Sequence, residues 1–81
     1  MQDKIKQFDE EIVEIVTELI SIRLDNQILY KEWVWIDIYD QIQLCHQALS
    51  QIEEGADGCL TLEEIEEGIR MARIDIEQFF A

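Results

Sequence analysis

The chain has 81 residues, 48% of them hydrophobic, and carries 19 acidic against 6 basic side chains, a formal net charge of −13. Such a field repels DNA, RNA and anionic lipid, which excludes a protein that grips them directly, and it attracts basic surfaces. The apolar fraction equally excludes a solvating acidic tail.

This length implies one domain, residues 1–81. A chain of this size buries roughly 60% of its unfolded surface, so a lone copy is marginal. Repulsion among the excess acids adds to that, which favours an oligomer or a bound partner. The Met1-Gln2-Asp3-Lys4 start is not expected to be a signal peptide, since no suitable apolar run follows it. No stretch approaches 18 uninterrupted apolar residues, so no membrane span is expected. Two cysteines, Cys45 and Cys59, are too few for a disulfide scaffold and lack metal-ligand spacing. A reducing, cytoplasmic setting is therefore expected. Proline is absent, and the three glycines, Gly55, Gly58 and Gly68, all lie in the C-terminal third.

The first predicted helix runs from about Asp3 to Leu24. Ile5, Phe8, Ile12, Ile15, Leu19 and Ile22 step by three and four, so they share one helical face. Val13, Val16 and Ile20 form a second stripe beside it. Asp25-Asn26 supplies turn chemistry, and so short a connection sends the next helix back antiparallel.

The second predicted helix runs from about Gln27 to Glu54. Trp35, Ile38, Ile42, Cys45, Leu49 and Ile52 continue the stepping, and Gly55 sits where a left-handed C-terminal cap is expected. Within it, Trp33 to Tyr39 is rich in β-branched and aromatic residues, and Val34, Ile36 and Ile38 alternate as in a strand. A strand there would need a partner strand that the chain does not offer, so helix is preferred.

The third predicted helix covers about residues 62–80. Thr61 and Glu64 have the spacing of a capping box, and Leu60 and Ile65 that of a hydrophobic staple. Leu62, Ile65, Ile69, Ala72, Ile76 and Phe79 form its buried stripe. The predicted fold is all-α, an antiparallel three-helix bundle. Helix lengths of roughly 33, 42 and 28 Å follow from the rise per residue, so the middle helix should overhang its neighbours.

Few constellations carry chemistry. Glu53 to Glu64 resembles the calcium loop of an EF-hand, with Asp57 fifth, Gly58 sixth, Leu60 eighth and Glu64 twelfth. The resemblance implies a calcium site. It fails where the ligands should begin, with Glu53 first and Gly55 third, and no second loop pairs with it. The simpler reading makes Gly58 a turn and Glu64 a cap. Cys45 and His46 are adjacent and diverge by about 100° on a helix, so they cannot clamp one metal alone. No nucleophile elbow, phosphate-binding glycine loop or zinc-ligand helix is present. No catalytic residue, cofactor or metal is therefore expected.

The aromatic cluster is more informative. With Trp35 on the core stripe, Trp33 must face away from it, joined by Leu29 and Ile36, with Tyr30, Asp37 and Asp40 nearby. Either both tryptophans are buried in a sandwiched middle helix, or Trp33 is an exposed anchor ringed by carboxylates, as binding hot spots often are. Met71 and Ile74 also lie off the core stripe of the third helix. Between Lys31 and Arg70 there is no lysine or arginine, yet ten carboxylates. The candidate protein-binding residues are thus Leu29, Tyr30, Trp33, Ile36, Asp37, Asp40, Glu63, Glu66, Glu67, Met71 and Ile74. In general character the chain is similar to phage-type anti-defence inhibitors and nuclease immunity proteins. The expected function is an inhibitor that occludes the nucleic-acid site of a basic protein by imitating phosphates. The alternative is a homo-oligomeric helical adaptor, most simply a dimer, that binds through its apolar second face.

Overall fold

A computed structural model describes residues 2–25, 31–56 and 60–80. It contains three helices, α1 (Gln2–Leu24), α2 (Glu32–Glu53) and α3 (Leu62–Phe80), and no strand among the described residues. Each helix packs on the other two, in a body of 40 × 20 × 17 Å. Side-chain pairings fix the directions. Trp35 reaches Leu19 and His46 reaches Asp9, so α2 runs antiparallel to α1. Lys31 reaches Phe79 and Cys45 lies against Gly68, so α3 runs antiparallel to α2.

The core follows the 3,4 stepping. Phe8, Ile12, Ile15, Leu19 and Ile22 of α1 are buried, as are Ile65, Ile69, Ala72 and Ile76 of α3. Ile5, Leu62 and Phe79 are half-buried at the ends of those stripes. These side chains bury because each contributes about 1.5–3 kcal/mol once removed from water.

The second helix departs from expectation in two ways. It begins at Glu32, because Lys31 has φ −125° and ψ 22°, outside the helical region. At roughly 33 Å it matches its neighbours, and among the described residues it shows no overhang; Gln27 to Tyr30 of the predicted helix lie outside them. The Lys31 ammonium donates to the Phe79 carbonyl at 2.8 Å, and Glu32 pairs with Arg23 at 3.7 Å, so the start is tied to both other helices. Secondly, Val34 occupies the core position expected of Trp35. The large indole sits half-buried at the rim, where its N–H donates to the Leu19 carbonyl at 2.8 Å. A polar indole N–H needs such a partner, which the core interior does not offer. Tyr39 stacks on Trp35 at 5.1 Å between centroids, and Arg23 lies over the same ring at 4.9 Å. The strand alternative for Trp33 to Tyr39 is thereby replaced by helix.

Both ends of the α2–α3 connection are capped. Gly55 has φ +81° and donates to the Ile52 carbonyl, while Ala56 donates to that of Gln51, the two bonds of a Schellman cap. At the start of α3 the Glu64 N–H donates to Thr61 Oγ1 at 3.2 Å, and the Thr61 N–H donates to Glu64 Oε1 at 3.0 Å. This is the expected capping box. Thr61→Ala should cost about 1 kcal/mol and lower the thermal midpoint by roughly 4–8 °C, as read by circular dichroism.

Candidate protein-binding surface

Trp33 is 66% exposed, and Ile36, Asp37 and Asp40 are exposed with it. The reading that buries both tryptophans is therefore excluded. Leu44 extends the row. It lies eleven residues beyond Trp33, a rotation of about 1,100° and so only about 20° from the same face. At 51% exposure it is as open as its neighbours. Sequence reasoning passed over it, although that spacing was available. Leu29 and Tyr30 lie outside the described residues.

On α3 the neighbours decide which face each candidate occupies. Gly68 lies against Cys45 and Gln41, so the side of α3 that includes Met71, one turn further on, borders α2. Met71 is 39% exposed there. Gln41, Leu44, Cys45, Leu60, Glu64, Glu67 and Gly68 line a groove of about 370 Å³ between the two helices. Glu63 and Glu66 sit elsewhere. With Leu62 they line a groove against Asp3, Lys4 and Phe8 of α1. Ile74 is exposed and lies about 120° around α3 from Gly68. By helical rotation Trp33, Asp37 and Asp40 share the Leu44 side of α2, and Met71 and Ile74 share the Glu67 side of α3. Ile36 points directly away from the Cys45 face, and Glu63 and Glu66 belong to the α1–α3 groove.

The bases are unevenly spent. Arg73 pairs with Glu14 of α1 at 3.2 Å. Arg70, just past the base-free stretch, holds both carboxylate oxygens of Glu67. That hydrogen bond and charge, helped by Glu66, push the already high Arg70 pKa further up. Each of these pairs is exposed, so solvent screens it and it adds little to stability. Asp37 and Asp40 make no ion pair among the described residues.

The thiol and the calcium-like loop have local accounts. Cys45 is 2% exposed, and burial pushes its thiol pKa up. The unfolded chain therefore releases that proton at lower pH and binds fewer protons in between, so this contribution is lost as pH rises. The stability difference between the wild type and Cys45→Ala should shift against the wild type from about pH 7 to about pH 10 in denaturant titrations. Cys59, Asp57 and Gly58 lie outside the described residues. Gly55 and Glu64 are committed to helix caps at the two ends of the loop. Calcium and magnesium at millimolar levels should give the same thermal midpoint. Saturable calcium binding below about 10⁻⁵ M would overturn that.

No described helix is long and apolar enough to cross a membrane. No protein-family model, curated protein or solved structure matches the chain.

Proposed function

We propose that this chain is an inhibitor that covers the nucleic-acid-binding surface of a basic protein. The observation that carries the reading is charge density on a rigid frame. Thirteen net negative charges along a 40 Å axis amount to one per roughly 3 Å, whether or not Asp57 is counted. One strand of DNA carries one per about 3.4 Å. Helical carboxylates three or four residues apart lie about 5–6 Å from one another, so they form rows of fixed spacing rather than a diffuse cloud. Asp37 and Asp40 are such a pair, beside the exposed ring of Trp33. A cationic groove that receives phosphates would accept these rows, and the aromatic ring would add slow dissociation.

The test is capture from cell lysate at low and high salt, followed by competition. The captured protein should bind DNA or RNA, elute as salt rises, and lose its labelled nucleic acid to a stoichiometric amount of this chain. A captured partner that holds nucleic acid and this chain together would refute occlusion.

A second reading is favoured by one observation. Val13, Ile20 and Leu24 on α1 are exposed in addition to the α2 and α3 apolar residues. Surplus apolar surface of that kind commonly closes against another copy. A homodimeric adaptor should sediment as two chains at micromolar concentration in moderate salt. A monomer at high concentration would remove this reading.

A further inference from the structure

We infer that the groove between α2 and α3 seats a cationic amphipathic helix of the partner. The inference rests on the inhibitor reading and names the element that is bound. The groove is apolar along its line and acidic along its walls. Leu44, Cys45 and Leu60 are its apolar lining, and the exposed Trp33 and Met71 continue it by helical rotation on the same sides of α2 and α3. Glu64 and the Arg70-paired Glu67 line its α3 side. Asp37 and Asp40, unpaired among the described residues, lie on the Leu44 side of α2, beyond the lining itself. The α2 row from Trp33 to Leu44, which leads into the groove, is roughly 16 Å long, about three helical turns. Gly68 brings the α3 backbone close to Cys45 and carries no side chain into the groove that both residues line.

That pattern is the complement of one ligand class. A helix with apolar residues at three- and four-residue spacing would lie along the groove as a fourth helix of the bundle. Lysines and arginines flanking that stripe would meet the carboxylate walls on both sides. Arg70 holds Glu67 and Lys31 is engaged with the Phe79 carbonyl, so Asp37 and Asp40 are the carboxylates on the α2 side left for a partner's bases. A second copy is disfavoured here, because it would set two acidic walls against each other, and like charges brought together are destabilising. Nucleic acid and anionic lipid are repelled by the same walls.

The probe is a synthetic helical peptide of roughly 18 residues, five turns, with leucine on one face and lysine and arginine beside it. Its control has the same composition, scrambled so that the leucines share no face. Amide spectra of the ¹⁵N-labelled protein should show the helical peptide shifting Trp33, Asp37, Gln41, Leu44, Gly68 and Met71. The scrambled peptide should bind at least about tenfold more weakly, since charge alone would remain. Leu44→Gln should weaken the helical peptide by about tenfold without moving the thermal midpoint. Equal binding of both peptides, no saturable binding, or shifts centred on Glu63, Glu66 and α1 would overturn the inference. A separate arm asks whether this chain strips labelled DNA from a DNA-binding protein whose recognition element is a basic helix. If the peptide seats in the groove and the DNA stays bound, the helix site stands and the inhibitor reading falls.

Discussion

Adding a single methyl group at Gly68 should loosen this bundle, although the same change stiffens most helices. Alanine is preferred over glycine in a helix interior by about 1 kcal/mol. Here a Cβ would lie 2.6 Å from Cys45 Sγ, closer than the two atoms can stand. The sulfur is at the end of a side chain with one rotatable bond, and it is packed in the core. With one torsion and core packing around it, the sulfur has few other positions, so part of the shift is expected to fall on the α2–α3 spacing. Overpacking of this kind costs about 1–3 kcal/mol, which exceeds the propensity gain. Gly68→Ala should therefore lower the thermal midpoint by several degrees, at roughly 4–8 °C per kcal/mol for a domain this small. Gly68→Val should do more, because it adds two further carbons and a β-branch. The attribution is tested by the pair. Adding Cys45→Ala to Gly68→Ala should restore most of the loss, with a coupling of about 0.5–3 kcal/mol in a double-mutant cycle. A Gly68→Ala protein that melts above the wild type would mean the contact is soft and the close approach of the helices is not set by this glycine.

The same contact marks what sequence could and could not reveal. Local patterns were legible because they are written in consecutive residues. The α1 stripe from Phe8 to Ile22, the Thr61–Glu64 capping box and the Gly55 cap all stand where spacing put them. The start of α2 was not legible. No proline or glycine interrupts Gln27 to Lys31, and the contacts that accompany the start at Glu32 reach other helices, Lys31 to Phe79 and Glu32 to Arg23. The exchange of Val34 for Trp35 has the same origin, since the indole N–H found its acceptor on another helix. Spacing placed Trp33 away from the core but could not say which helix it would border. It therefore grouped Glu63 and Glu66 with Trp33, while the fold turns those two toward α1. In the sequence Gly68 is only a glycine inside the third predicted helix. Only the position of Cys45 turns it into a packing requirement.

Partner binding should separate into two kinetic parts when charge and ring are altered independently. Exposed carboxylates act at a distance and are screened within about 8 Å at physiological salt, so they act mainly on association. Glu67 is a poor probe because Arg70 already holds it, and Glu64 is a poor probe because it caps α3. The informative variant is Asp37→Asn, Asp40→Asn, Glu63→Gln. All three side chains are exposed, so folding should change by less than about 0.5 kcal/mol each, with relief of repulsion pushing toward stability. Association measured by stopped flow should slow by about tenfold or more at low salt, and the deficit should shrink as salt rises. Trp33→Ala should leave association nearly unchanged and speed dissociation, by about thirtyfold if the ring contributes the roughly 2 kcal/mol of a hot spot. The ring is largely in solvent in the free chain, so its loss cannot be explained by damage to the core. Phosphate imitation requires both effects in those separate rates. An amide variant that binds at the wild-type rate, beside a Trp33→Ala variant that does not bind, would transfer the function to the apolar patch and favour the adaptor.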